Sequence, residues 1–254
     1  MSIAQLQVVA KKLIESKNSL AFTGAGISVE SGIPDFRSSG GLWEKFNPME
    51  YATIDAFKRD PEKVWTMLRE MDKVLEAADP NPAHSGLARL EELNLLSGVI
   101  TQNIDNLHQE GGSQTVVEFH GNARRLVCIK CGQAVAAADA RARWQEEFPP
   151  RCPNCQQIMK PDVVLFGEPI PAEASSLAMG MAQVASVMLV IGTSAVVAPA
   201  SYIPVVAKKS GAFIVEINPE DTVLSQEIAD LTVRGKAGEL VPALVEQIES
   251  LLSK

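Results

Sequence analysis

Six short apolar runs, each closed by small or polar residues, constrain the fold of this 254-residue chain more than any other feature. They are Leu20 to Thr23, Gly98 to Thr101, Val116 to Phe119, Val187 to Ile191, Phe213 to Ile217 and Leu231 to Arg234. Helical spacing lies between most of them, clearest at Leu87, Leu90 and Leu93 and again at Leu240, Leu244, Ile248 and Leu251. Such alternation is the pattern of an α/β fold whose parallel strands are buried on both faces. Directly after the runs stand Gly24-Ala25-Gly26, Gln102-Asn103-Ile104-Asp105, His120-Gly121-Asn122, Gly192-Thr193-Ser194, Asn218-Pro219 and Gly235-Lys236-Ala237-Gly238. In an open parallel sheet the ligand crevice lies beyond the carboxyl ends of the strands, so the six clusters are expected around one ligand.

The first cluster narrows the chemistry. A buried strand that turns into a helix at Gly24-Ala25-Gly26 would aim backbone N–H groups at a pyrophosphate, which makes a dinucleotide the leading ligand. A dehydrogenase fingerprint needs a third small residue three positions after the second glycine, and Val29 stands there. Hydride transfer is therefore disfavoured. No Gly-x-Ser-x-Gly occurs, and Lys236 lacks the following hydroxyl of a phosphate-binding loop, which sets aside triad hydrolysis and phosphoryl transfer.

Two stretches, Ser38 to Pro82 and Arg124 to Lys160, interrupt the sheet pattern and read as insertions. They predict a discontinuous Rossmann-like domain (1–37, 83–123 and 161–254) with a smaller helical and zinc-ribbon domain (38–82 and 124–160) beside it. Cys128-x2-Cys131 and, after twenty residues, Cys152-x2-Cys155 use every cysteine and match a four-cysteine structural zinc site. Disulfides would need an oxidising compartment, and redox Cys-x-x-Cys pairs seldom come doubled at this spacing. The net charge of −8 gives no general attraction to nucleic acid or anionic membrane. It is uneven: Arg124 to Lys160 carries seven basic and three acidic residues, +4 against −12 elsewhere, and reads as a solvated basic face.

The N-terminal pattern Ile3, Leu6, Val9, Leu13 includes Lys11 and Lys12 and lacks a signal-peptide core, so export is not expected and the cytoplasm is. Leu177 to Ala207 holds no charged residue over 31 positions, but Gly192-Thr193-Ser194, Pro199 and Pro204 break it into strand, loop and helix rather than a membrane span. Of the three histidines, His84 sits at a helix start and suits a cap, and His108 suits a loop-structuring role. His120 ends the third run at the carboxyl edge, where imidazole can accept a proton near neutral pH.

Taken together with Gly32-Ile33-Pro34-Asp35-Phe36-Arg37, Phe166-Gly167-Glu168 and Ile217-Asn218, these motifs resemble the sirtuin family of NAD-dependent protein deacylases, prokaryotic-type members in particular, over nearly the whole chain. The resemblance implies a Rossmann-like domain, a zinc-bearing small domain, and NAD and an acyl-lysine peptide meeting between them. It implies that NAD is consumed: the acyl oxygen attacks the ribose carbon, nicotinamide leaves, and an alkylimidate collapses to free lysine and 2′-O-acyl-ADP-ribose. By the same likeness His120 is the base, Asn103 holds ribose or a water, and Ile104 and Asp105 bind the nicotinamide carboxamide. Gly24, Ala25, Gly26 and Arg37 would hold the diphosphate, Gly192, Thr193, Ser194 and Asn218 the adenosine half, and Lys236 and Ala237 the adenine. Phe36 would cover the ribose, with Ser28, Asp35 and Gln102 also on the cofactor side.

Val164-Leu165-Phe166-Gly167-Glu168 and Val196-Val197 resemble the two edges between which the peptide adds as a strand. Members preferring acidic acyl groups show a Tyr and an Arg three apart; here Val64 to Met71 has no Tyr, and Arg69 reads as an isolated exposed cation. Acetyl or other apolar acyl-lysines are expected. The alternatives are mono-ADP-ribosyl transfer, a non-catalytic NAD or ADP-ribose binding module, and a zinc-ribbon nucleic-acid binder, which the acidic remainder disfavours.

Overall fold

The computed structural model describes residues 3–34, 42–142, 144 and 147–253, so Asp35, Phe36 and Arg37 lie outside the described residues. Among those described, nine strands run in chain order: β1 (Ser19–Thr23), β2 (Val99–Thr101), β3 (Val116–Glu118), β4 (Gly121–Cys128), β5 (Ala134–Ala136), β6 (Met159–Val163), β7 (Val187–Ile191), β8 (Phe213–Asn218) and β9 (Leu231–Arg234). The six apolar runs become one parallel sheet in the order β3-β2-β1-β7-β8-β9. This is the doubly wound order, and its direction of winding reverses between β1 and β7. Every residue of those two central strands is buried.

Alternate side chains of each strand enter opposite layers, as the two-residue repeat of a pleated strand requires. Ala21 and Leu189 face one layer with Leu6, Val9 and Leu13 of the helix Ile3–Glu15, Leu87 and Leu90 of Pro82–Glu92, and Leu240, Leu244 and Ile248 of Ala237–Leu252. Leu20, Phe22, Met188 and Val190 face the other, covered by the helices Ala172–Val184 and Tyr202–Lys209. The uncharged stretch resolves into the end of one of these helices, β7, a loop and the start of the other. Among the described residues no helix is long and apolar enough to cross a membrane.

The second sheet is antiparallel, in the order β5-β4-β6. Val64, Trp65, Met67 and Leu68 of the helix Pro61–Glu76 pack onto Leu126, Met159 and Val163 of this sheet in one cluster. Trp65 Nε1 donates to the Met159 carbonyl at 2.8 Å, and its ring meets those of Trp144 and Phe148 edge-on at 6.0 and 5.7 Å. The +4 segment is only in part a solvated basic face: Lys130 and Arg151 are exposed, while four of its cations are paired. Arg124 pairs with Glu76 and Glu110, Arg125 with Glu118 and Asp162, Arg141 with Asp72 and Glu76, and Lys160 with Glu168. All six of these carboxylates come from outside the segment, so folding offsets part of the charge that the linear order leaves unbalanced.

Candidate active site

At the point where the winding reverses, the loops after β1 and β7 run against each other, backbone to backbone. Gly24 N–H donates to the Ile191 carbonyl at 3.1 Å and Gly26 N–H to the Gly192 carbonyl at 2.8 Å. A Cβ on Gly26 would lie 2.7 Å from Gly192 Cα, and one on Gly192 would lie 2.4 Å from Ile27 N. The glycines are thus demanded by loop packing, and the N–H groups of Gly24 and Gly26 point at β7 rather than outward as the sequence reading expected. Among the described residues no α-helix starts directly after β1 either. Two single 3₁₀ turns, Ala25–Ile27 and Val29–Ser31, end at Gly32 in the left-handed region with φ 86°, so the helix-dipole argument does not apply here.

The other loop ends join the same ring. Gln102 Nε2 donates to Thr193 Oγ1 at 3.0 Å, Asn218 Nδ2 to the Thr193 carbonyl at 3.2 Å, and Gly235 N–H to the Asn218 carbonyl at 3.3 Å. After β9, Gly238 N–H donates to Glu30 Oε2 at 2.7 Å, closing the circle on the β1 loop. Asn103 Nδ2 reaches the Gly24 carbonyl at 3.2 Å and Ser28 Oγ at 3.0 Å, and Ser28 Oγ donates to Asp105 Oδ2 at 2.7 Å. Asp105 Oδ1 accepts from Leu107 N–H at 3.0 Å; each carboxylate oxygen keeps a second lone pair for a further donor. The six polar clusters therefore converge. A cavity of about 460 Å³ lined by Lys12, Glu15, Ser186, Lys208 and Asp230 lies at the opposite, amino end of the strands and touches none of these residues.

His120 sits between β3 and β4, and its Nδ1 is 2.9 Å from the Gln102 carbonyl. A carbonyl only accepts, so Nδ1 carries the proton and the neutral ring presents Nε2 as an acceptor. Burial pulls its pKa below the ordinary imidazole value, the Gln102 hydrogen bond opposing in part. Near neutral pH this favours the uncharged ring with Nε2 free to accept, the state a general base needs. His84 does cap its helix: Nδ1 accepts from Asn81 N–H at 3.2 Å. It is fully buried, however, and its Nε2 lies 3.5 Å from Ser28 Oγ. His108 packs edge-on against it at 5.0 Å, with Nε2 2.9 Å from Thr23 Oγ1, and burial lowers its pKa to about 3.

The four cysteine Sγ atoms lie within 4.8 Å of one another, with Cys128 to Cys155 at 3.5 Å and Cys131 to both Cys152 and Cys155 at 3.6 Å. A tetrahedral ion with Zn–S bonds of about 2.3 Å needs sulfurs roughly 3.8 Å apart, so the set fits zinc and leaves no position for substrate. Each pair sits on the same turn: Gly132 N–H donates to the Cys128 carbonyl and Gln156 N–H to that of Cys152, both at 2.9 Å. Gly132 and Gln156 occupy equivalent left-handed positions, with φ 74° and 62°.

Beyond β6, Leu165 to Glu168 form a tight turn closed by Glu168 N–H on the Leu165 carbonyl at 2.9 Å, with Gly167 at φ 87°. Phe166 N–H and C=O pair with the Ala52 carbonyl and Ile54 N–H, leaving the Phe166 ring 47% exposed. Val196, on the other expected peptide edge, is 51% exposed. The Glu168 carboxylate turns inward to Leu165 N–H at 2.8 Å and Lys160 Nζ at 3.1 Å. Arg69 is not isolated, since its guanidinium lies 5.0 Å over the Phe148 ring.

The Sir2 family model matches residues 24–199. An NAD-dependent protein deacylase 2 of Pyrobaculum aerophilum is 49% identical over 244 residues, 96% of each chain, and an NAD-dependent protein deacylase of Pyrococcus furiosus is 48% identical over 96% of this chain and 98% of its own. The chain belongs to the Sir2 family. Among solved Sir2 structures, a homologue mutant complexed with ADP-ribose superposes with a TM-score of 0.90 at 42% identity, covering 100% of this chain and 98% of that one. A Sir2 homologue bound to NAD gives 0.89 at 42% identity over 97% and 94%. A Sir2 mutant complexed with a p53 peptide and NAD gives 0.87 at 35% over 97% and 99%. Within this Sir2 chain, sequence reasoning missed Thr23, Thr101 and Asn81. The available signal was a threonine closing each of two apolar runs: Thr23 Oγ1 donates to Thr101 Oγ1 at 2.9 Å beneath the site, while Asn81 Nδ2 ties down the Ile27 carbonyl at 2.7 Å.

Proposed function

We propose that the chain is an NAD-dependent protein-lysine deacetylase that transfers the acyl group of acetyl-lysine to ADP-ribose, releasing nicotinamide, free lysine and 2′-O-acetyl-ADP-ribose. The observation that carries this is His120, held in one tautomer by the Gln102 carbonyl at 2.9 Å, its pKa lowered by burial, at the ring of loop ends. NAD supplies the activated ribose carbon on which the acyl transfer depends.

His120 Nε2 takes the proton of a ribose hydroxyl. Asn103, whose amide is fixed by Gly24 and Ser28, orients ribose or a water beside it. Asp105 accepts the carboxamide N–H of nicotinamide while Ile104 lines the same subsite. Ala25 and Arg37 hold the diphosphate, on the loop whose close approach to β7 Gly24 and Gly26 allow. Gly192, Thr193, Ser194 and Asn218 hold the adenosine, and Lys236 and Ala237 the adenine. Ser28, Gln102, Asp35 and Phe36 complete the cofactor side. The peptide lies between Val164–Glu168 and Val196–Val197, drawing on main-chain pairing and the exposed Phe166 and Val196.

The acyl group is apolar, since Val64 to Met71 carries no Tyr and Arg69 is stacked on Phe148. Zinc is structural, held by Cys128, Cys131, Cys152 and Cys155. The small domain comprises 38–82 and 124–160, and the location is the cytoplasm, where thiols stay reduced. Direct nucleic-acid binding is disfavoured because Arg124, Arg125 and Arg141 are engaged by carboxylates.

The test is to incubate the protein with NAD and an acetyl-lysine peptide and weigh the products. Acetyl-ADP-ribose appearing only with both substrates supports the reading; nicotinamide released equally without peptide, or ADP-ribose attached to protein, favours ADP-ribosyl transfer instead.

A further inference from the structure

Lys160 is a buried cation that the proposed reaction does not use. Its side chain is 7% exposed, and Nζ meets three acceptors: the Val163 carbonyl at 2.6 Å, Glu168 Oε2 at 3.1 Å and the Pro161 carbonyl at 3.2 Å. An ammonium has three donors, so the group is fully matched. Glu168 Oε2 in turn accepts from Leu165 N–H at 2.8 Å. One carboxylate oxygen thus bridges the Lys160 ammonium and the first residue of the Leu165 to Glu168 turn, whose main chain is closed independently by Glu168 N–H on the Leu165 carbonyl.

The same turn is held from outside at Phe166, whose N–H and C=O pair with Ala52 and Ile54. Clamped from both sides, the turn has a fixed main-chain course through Phe166 and Gly167.

We infer that Lys160, acting through Glu168, is a positioning residue that holds the Leu165 to Glu168 turn in the shape that receives the acyl-lysine peptide. This rests on the deacetylase reading above and adds to it a peptide-affinity determinant that itself touches no substrate. Without the ammonium, Glu168 is left partly buried and uncompensated and turns to water, releasing Leu165 N–H. The turn then samples other shapes, and peptide binding must restore the ordered one. The one link from here toward the base is main chain, Val164 N–H on the His120 carbonyl at 2.9 Å; neither substitution removes it, and no side chain of this set contacts Gln102, Asn103 or the His120 ring, so NAD handling is expected to be unchanged.

The experiment measures steady-state KM for the peptide and for NAD, together with fluorescence anisotropy of a labelled acetyl-lysine peptide, in wild type, Lys160→Met, Glu168→Gln and the double variant. The expected result is a rise in peptide KM of about tenfold for each single variant, the usual scale for losing a charge-assisted hydrogen bond. NAD KM stays unchanged and kcat at saturating peptide stays within about twofold. The double variant is no worse than either single, and Lys160→Arg restores most of the peptide affinity. Unchanged peptide KM and anisotropy in Glu168→Gln overturn the inference even if Lys160→Met fails to fold, as does a parallel rise in both KM values. A wild type that makes no acetyl-ADP-ribose sinks the underlying reading instead, and anisotropy still reports whether Glu168→Gln weakens the peptide.

Discussion

Replacing Gly192 by alanine tests whether the loops after β1 and β7 must touch backbone to backbone. The added Cβ would sit 2.4 Å from Ile27 N and 2.6 Å from the Gly26 carbonyl carbon, where ordinary contact begins near 3.4 Å, so the loops must part by about an ångström. Gly192 also has φ 61°, a conformation that costs an alanine about 1–2 kcal/mol. Parting the loops lengthens the Gly24 to Ile191 and Gly26 to Gly192 hydrogen bonds, each contributing about 1 kcal/mol. The expected loss is therefore about 3–4 kcal/mol of unfolding free energy, read by urea denaturation. ADP-ribose affinity, measured by calorimetry below the unfolding transition, falls with it because Thr193 and Gly24 move apart. Gly180→Ala is the control: inside the helix Ala172–Val184 with nothing within 4 Å of its Cβ, it gains about 0.5–1 kcal/mol. A Gly192→Ala protein within about 0.5 kcal/mol of wild type and binding ADP-ribose normally refutes the packing argument.

Because burial depresses the His120 pKa, kcat/KM is expected to be flat near neutrality and to fall on the acid side only below the ordinary imidazole value; a falling limb centred above pH 7 contradicts this. His108 is held near 3 while a free imidazole titrates near 6.5, so the unfolded chain binds the extra proton and stability drops as pH falls from about 6.5 toward 3, by up to ~1.4 kcal/mol per pH unit for one site. His108→Gln, followed by urea unfolding at several pH values, removes one proton's worth of that slope; an unchanged slope argues against it. Gln156→Gly relieves a left-handed residue in a turn whose twin already holds Gly132, and a gain of about 0.5–1 kcal/mol in thermal unfolding is expected. Loss of stability there would show the two turns to be unlike.

The parallel sheet was legible because strands buried on both faces need continuous apolar runs, and Leu20 to Thr23 and Val187 to Ile191 are such runs. The zinc site was legible because ligand spacing is local. The role of Gly24 and Gly26 was not, since their closest neighbours, Gly192 and Thr193, are distant in sequence and only the strand order β1 beside β7 brings them together. β4 and β6 were hidden for a different reason: one face of the antiparallel sheet carries Arg125 and Asp162, which break the apolar run and pair only after folding. The same holds for Lys160, counted with the basic face, and Glu168, placed in the peptide edge, whose pairing appears only when the turn brings them together.

The central claim is that His120 acts as the base at a nucleotide site that does not need it for binding. The direct measurement is the yield of 2′-O-acetyl-ADP-ribose by mass from His120→Ala with NAD and acetyl-lysine peptide, alongside its ADP-ribose affinity. The account expects wild-type affinity within a few-fold and no acetylated sugar. Product formed at the wild-type rate would contradict it.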